Sequence, residues 1–373
     1  MRTLRNTIAA TLILSGSLFA PTGSNAQAPP SATPGSSTET GEINGASYRI
    51  DIPAGWNKGL VMYAHGYTMV GTPPEDPDSP EGKALRDVFL SRGFAFARSA
   101  YGAQGWAVKE AIEDTEALRR LFVARHGRPS ETYITGISMG GHITIATIER
   151  YPEAYDGAMP LCGPLGPAID FMNYSLFDML VTFEALFPGT IGSPYTPGTA
   201  TAEKVRAALA ANPQRAARYA QLFARPVESL PDVLAFFQVI AAELKQRAGG
   251  EPFDNTNRVY SGFGEDAALN RAVSRHAAEP AARDYLRQYY SPTGRTWDPV
   301  LAVQTTGDPL VLGRDVTAYE VLAARAGVPD KFVTRFVDAT GHCNFTPGQI
   351  GGAFDALLAW AREGKRPPPG EQK

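Results

Sequence analysis

The stretch ETYITGISMGGHITIATIERYP covers residues 131–152, and its reading decides the fold. β-branched and aromatic residues fill its first part, as in a short strand, and an amphipathic run fills the rest, as in a helix. Between them stands Gly136-Ile137-Ser138-Met139-Gly140, one serine with a glycine two residues away on either side. A strand that turns at once into a helix strains the backbone of the residue at the corner. The residues two before and two after it must be small, or they collide with the neighbouring strand and helix. Gly136 and Gly140 meet that need. The turn lifts the Ser138 hydroxyl above the C-terminal edge of a sheet, where open α/β sheets bind ligands. The N–H of Met139 opens the helix and points where negative charge develops on an attacked carbonyl. The same pattern also occurs as a plain βα turn with an N-capping serine, so the serine's partners decide between the two readings.

A serine hydroxyl is a weak nucleophile without a base, and the base needs an orienting carboxylate. The chain has five histidines. His342 lies in DATGHCNF, past the last apolar strand run and just before the final helical pattern. Asp308 lies in TTGDPLV, past the strand before that. Ser138, Asp308 and His342 thus each follow the C-terminal end of an expected strand, which brings all three to one sheet edge. The other histidines fit worse: His126 at a helix end, His142 inside the helix after the elbow, His276 in a separate helical block. His65 reads as a packed histidine bonding loop carbonyls. Asp338, four residues before His342, is the rival acid and reads as structural. A second oxyanion donor is expected after GLVMYAHGY (59–67), where His65-Gly66 lets the backbone turn and the N–H of Tyr67 is placed to donate.

Short apolar runs alternate with amphipathic segments from about residue 41 to 163 and again from 299 to 363. Such alternation makes a parallel sheet covered on both faces. The intervening stretch, 164–298, breaks the pattern. Ile169, Met172, Leu176, Leu180, Phe183 and Phe187 recur there at helical spacing, and two more helical patterns follow. It reads as a helical insertion, either a cap over the sheet or a small domain of its own. Some of its aromatic residues are expected to line an apolar substrate pocket. Residues 27–40 and 364–373 are rich in Pro, Ser, Thr and Gly or in Pro and charge, and are expected to be a disordered linker and tail.

The 373-residue chain is 43% hydrophobic and 20% charged, with a formal net charge of -3. No Lys/Arg block points to nucleic acid, and no His/Cys cluster has metal-ligand spacing. Arg2 and Arg5, an apolar run from Ile8 to Ala20 and the small residues Ser24 and Ala26 read as a signal peptide, 1–26, cleaved after Ala26. That run is short for a membrane anchor, so a secreted or periplasmic location is expected, with no stable membrane anchor and an oxidising environment for the two cysteines.

The elbow and the Ser138–Asp308–His342 order resemble the α/β-hydrolase superfamily over about 41–163 and 299–363. The resemblance implies a mostly parallel eight-stranded sheet with helices on both faces and a helical lid between strands six and seven. It implies acyl transfer through a serine ester, with no metal or organic cofactor and a small-molecule or polymeric ester as partner. His342-Cys343 is similar to half of the pattern of tannase and feruloyl esterase-like enzymes, in which cysteines beside the serine and the histidine are bridged. Ile137 stands here where the first of those cysteines would be. On the family topology, Cys162 ends the strand next to the one bearing Ser138, so a Cys162–Cys343 disulfide is expected, with two buried thiols as the alternative. The functional reading is a serine carboxylic-ester hydrolase. A serine peptidase or amidase and an acyltransferase are the alternatives, and the intact set of three residues argues against a binding protein without activity.

Overall fold

The computed structural model describes residues 35–73 and 76–371. The signal segment expected at 1–26 and most of the linker expected at 27–40 lie outside these residues. The linker reading needs correction at its end. Strand β1 (Ser37–Ile43) runs antiparallel to β2 (Ala46–Ile52), from Ser37 opposite Ile52 to Ile43 opposite Ala46. Asn44 and Gly45 form the loop, with φ of 53° and 84°. Two positive φ values are what the favoured two-residue hairpin loop requires, and Asn-Gly is its strongest sequence signal.

The remaining strands are β3 (Gly59–Ala64), β4 (Ala95–Ser99), β5 (Glu131–Ile137), β6 (Gly157–Leu161), β7 (Val300–Gly307), β8 (Phe332–Thr340) and β9 (Gly370–Glu371). They lie in the order β1-β2-β4-β3-β5-β6-β7-β8-β9. Pairing is antiparallel from β1 to β4 and parallel from β4 to β9. The sheet therefore has nine strands, not eight. The ninth comes from the tail expected to be disordered. The outer edge of β8 offers unpaired backbone groups, and Gly370 and Glu371 pair with Arg335 and Phe336. Arg366 helps hold the tail there by donating to the carbonyls of Asp330 and Phe332.

Helices α1 (Pro80–Leu90) and α11 (Pro347–Glu363) cover one face of the sheet. Val61 and Tyr63 pack there with Phe89 and Phe354. Helices α2 (Val108–His126), α3 (Met139–Arg150) and α10 (Gly313–Arg325) lie on the other, where Leu60, Met62, Val300 and Ala302 of the sheet share one apolar cluster with Ile112, Ile143 and Val316. Burial on both faces is why β3 reads as an unbroken apolar run and not as an alternation.

Between β6 and β7 the chain makes a π-helical segment, Ile169–Phe177, and then α4 (Asp178–Leu186), α5 (Ala202–Ala211), α6 (Pro213–Leu222), α7 (Leu230–Ala248), α8 (Asp266–Ala272) and α9 (Pro280–Tyr290). The starts are written locally. Thr201 and Asn212 accept hydrogen bonds from the first turns of α5 and α6, and proline opens α6. Phe171, Leu180, Phe183 and Phe237 join the same apolar cluster as Leu60 and Met62. The insertion thus shares the core of one sheet face. It does not close around a core of its own. Among the described residues no helix is long and apolar enough to cross a membrane.

Candidate active site

Ser138 sits at the corner between β5 and α3 with φ 58° and ψ -121°. This is left-handed backbone on a residue other than glycine, a conformation that persists only where its surroundings enforce it. The surroundings are visible at the two glycines. A Cβ on Gly136 would lie 2.3 Å from the Gly140 carbonyl oxygen, and one on Gly140 would lie 2.0 Å from that of Ala64. The elbow is packed backbone against backbone, with no side chain to yield.

His342 lies past the end of β8, and its Nε2 is 2.8 Å from Ser138 Oγ. Its Nδ1 is 2.7 Å from Asp308 Oδ2. The Asp308 side chain is fully buried, whereas the His342 side chain is 24% exposed, so the imidazole meets the cavity and the acid does not. Asp308 Oδ1 accepts the N–H groups of Leu310 and Val311 at 2.8 and 3.0 Å, which fixes the carboxylate plane. Asp338 accepts instead from Thr306, on the exposed side of β8. His126, His142 and His276 lie elsewhere. His142 is buried between the Pro164 and Tyr289 carbonyls. His65 stacks on Tyr101 at 3.9 Å and its Nδ1 lies 2.8 Å from the Gly66 carbonyl. Burial pulls it down to about 4, so it stays neutral.

The loop after β3 lies against the elbow. A Cβ on Gly66 would be 3.5 Å from Ser138 Cβ, so Tyr67 follows directly beside the serine, while Met139 opens α3 on its other side. A cavity of about 670 Å³ opens above Ser138 and His342. Tyr63, Tyr67 and Met69 from the core, Val233 and Phe236 from α7, and Leu310 supply its apolar wall. Among the described residues no lysine or arginine lines it, and Asp232 is its one carboxylate.

Cys162 and Cys343 form a disulfide with Cα atoms 5.4 Å apart. The Ser138 N–H donates to the Leu161 carbonyl at 2.9 Å. The end of β6 therefore stands beside the elbow, and a cysteine there reaches the histidine loop without one at position 137. Both cysteines have positive φ, 45° and 57°, and Cys343 Sγ is 3.3 Å from His342 Nε2. Cys162, His342 and Cys343 come within metal-ligand reach of one another, but bonded sulfurs offer no thiolate to an ion. Closing a loop of 181 residues is worth about 5 kcal/mol in the chain-entropy account. Reduction, or Cys343→Ser, is expected to lower kcat at denaturant concentrations where far-UV circular dichroism is unchanged, because the loop that aims the imidazole loses its anchor. Two alkylated cysteines in the unreduced protein would remove the basis of that expectation.

Parallel strands from β4 onward, an antiparallel β2, a strained serine after β5, an acid after β7 and a histidine after β8 together decide the architecture. This is the α/β-hydrolase fold. No family model matches the chain. It is 25% identical over 407 aligned residues to o-phthalyl amidase of Xanthobacter agilis, an alignment that spans 88% of each protein. The esterase Pf2001 of Pyrococcus furiosus is 12% identical, with a TM-score of 0.47 over 86% of this chain and 90% of that one. Est1E of Butyrivibrio proteoclasticus is 11% identical, with a TM-score of 0.43 over 87% and 98%.

Two side chains at this site escape a reading by motif. Arg225, in the loop after α6, donates to the Pro309 carbonyl at 2.8 Å and to the Leu310 carbonyl at 3.3 Å, and so grips the loop that carries Asp308. It is 4% exposed, and burial pulls its guanidinium down to about 10. Glu243, in α7, accepts from the Tyr67 hydroxyl at 2.7 Å. They lie 84 and 176 residues from these partners, and no local pattern marks either one.

Proposed function

We propose that the protein is an exported serine hydrolase that cleaves carboxylic esters through an acyl-enzyme on Ser138. The observation that carries this reading is the unbroken hydrogen-bonded chain from buried Asp308 through His342 to a strained Ser138 at the mouth of an apolar cavity. In the reaction His342 Nε2 takes the Ser138 proton as Oγ attacks the ester carbonyl. The N–H groups of Tyr67 and Met139 hold the oxyanion. As the tetrahedral centre collapses, His342 returns the proton to the departing alcohol. Water, deprotonated by the same imidazole, then attacks the acyl-enzyme, and as that tetrahedral centre collapses His342 returns the proton to Ser138 Oγ and the carboxylic acid leaves. Asp308 holds the imidazole tautomer and balances its charge when it is protonated. Nothing in this sequence of steps calls on a metal or an organic cofactor. The apolar wall without lysine or arginine favours uncharged acyl groups.

The relative named as an amidase supports a second reading, amide hydrolysis at the same serine. A matched pair of substrates separates the two. p-Nitrophenyl butyrate is expected to have a kcat/KM at least about 10³-fold above that of butyryl p-nitroanilide, a difference on the order of 4 kcal/mol in transition-state stabilisation. Comparable values would make the amidase reading the better one.

A further inference from the structure

The geometry points to Glu243 as a positioning residue: a carboxylate of the helical insertion that acts through Tyr67 to aim the oxyanion-binding N–H at the carbonyl under attack. The inference rests on the reading of Ser138 as nucleophile. Its ground is a set of contacts between α7 and the loop after β3. Glu243 Oε1 accepts from the Tyr67 hydroxyl at 2.7 Å, and Oε2 accepts from the backbone N–H of Trp106 at 2.9 Å. One carboxylate thus ties together two core segments, one of which, the loop carrying Tyr67, lies beside the serine. These segments also hold each other, since the Gly105 N–H donates to the Thr68 carbonyl at 2.8 Å. Gly105 has φ +78°, and a Cβ there would lie 2.7 Å from Glu243 Oε2. The turn is built so that the carboxylate can come close.

Helix α7 is held on both sides of Glu243. One turn further on, Arg247 pairs with Glu110 at 3.1 Å and donates to the Gln104 carbonyl at 2.7 Å. Towards the other end, Phe236 packs edge-on against the Tyr67 ring, with centroids 5.0 Å apart. Tyr67 is therefore gripped by α7 at its ring and at its hydroxyl. Its backbone N–H, beside Ser138, takes its direction from that grip. A donor aimed at a developing oxyanion is sensitive to small displacements, because its worth is realised only in the transition state. The insertion then does more than wall the cavity: it completes the machinery, and a molecule with α7 undocked binds substrate but turns it over poorly.

Tyr67→Phe and Glu243→Gln test this, alone and combined, with p-nitrophenyl butyrate as substrate. Phenylalanine keeps the ring and the backbone N–H and loses only the tether. Glutamine has one amide oxygen for two donors. Turnover is counted per serine labelled to completion by a fluorophosphonate, so that misfolded protein does not enter the rate. Each single variant is expected to lose about 10-fold in kcat with KM within about two-fold. The double variant is expected to lose little more than the worse single one, since both changes cut the same tether. Affinity for butylboronic acid, whose tetrahedral serine adduct places an oxygen in the oxyanion position, should fall by the same factor as kcat. A purely structural role would lower the melting temperature and leave kcat and boronate affinity alone. That result overturns the proposal, as do a rise in KM alone and losses that multiply in the double variant. Ser138→Ala run alongside keeps the two levels apart. If it is inert while Tyr67→Phe is as fast as wild type, the tether fails and the nucleophile stands. If it remains active, the underlying reading fails.

Discussion

Ser138→Ala is expected to lose a factor of about 10³ or more in kcat on p-nitrophenyl butyrate, while its circular dichroism stays that of the wild type and its melting temperature changes little. The magnitude follows from what the substitution removes. In the proposed mechanism, without Oγ there is no covalent intermediate, and His342 keeps only the option of activating water for direct attack. The N–H groups around the oxyanion remain, so some acceleration over the uncatalysed reaction survives. The fold is untouched because Oγ has no packing role. Its partner is the imidazole at 2.8 Å, on the side that faces the cavity. The backbone strain at position 138, with φ 58°, costs alanine slightly more than serine, far less than the stability of the sheet. Steady-state kinetics and mass analysis after fluorophosphonate treatment check both parts. Turnover within about 10-fold of wild type, with no label taken up, would mean that another nucleophile operates.

The second large effect belongs to a residue with no side chain. Gly140→Ala is expected to lower kcat by about 10² and to cost about 3 kcal/mol of stability. The new methyl would lie 2.0 Å from the Ala64 carbonyl oxygen and 2.8 Å from that of His65. Both atoms are backbone, so relief requires α3 to move away from β3 by roughly 1 Å, and Ser138 and the Met139 N–H move with it. Gly348→Ala, in the first turn of α11, is the matched control. Its methyl meets nothing closer than Thr346 Oγ1 at 4.0 Å, and alanine there is expected to stabilise by a few tenths of a kcal/mol to about 1 kcal/mol. Urea melts and kcat on the two variants decide. A Gly140→Ala protein with wild-type kcat and wild-type stability would mean that the elbow is not as tightly packed as its contacts indicate.

These two residues also show which parts of the molecule are legible in sequence. The elbow can be read from one stretch because its constraint is local. A strand, a corner and a helix in immediate succession demand small residues at fixed offsets, and 136 and 140 supply them. Asp308 and His342 were readable for a related reason, since each ends a strand run and the parallel topology brings strand ends to one edge. Asn44-Gly45 was equally local, yet the Pro- and Ser-rich stretch before it reads as linker and hides the first four of the seven residues of β1. The tail hid its pairing differently: nothing in GKRPPPGEQK says that the edge of β8 is free to receive it. Glu243 and Arg225 lie beyond any local reading. A glutamate or an arginine in an amphipathic helical block is ordinary, and what makes these two unusual is the distant loop that each one meets.

The Cys162–Cys343 bond has a consequence that concerns chain continuity. It closes a covalent ring that contains all of the helices between β6 and β7, with Ser138 outside the ring and Asp308 and His342 inside it. Val259, 79% exposed, lies on a surface segment of that ring. A protease that cuts there would produce two polypeptides, one with Ser138 and one with Asp308 and His342, still joined at the C-terminal edge of the sheet. The nicked protein keeps its mass, apart from one added water, until a reductant is present, and its two halves are held at an effective concentration that free fragments do not reach. In the exported hydrolase proposed above, the ring would turn a break in the chain into a survivable event.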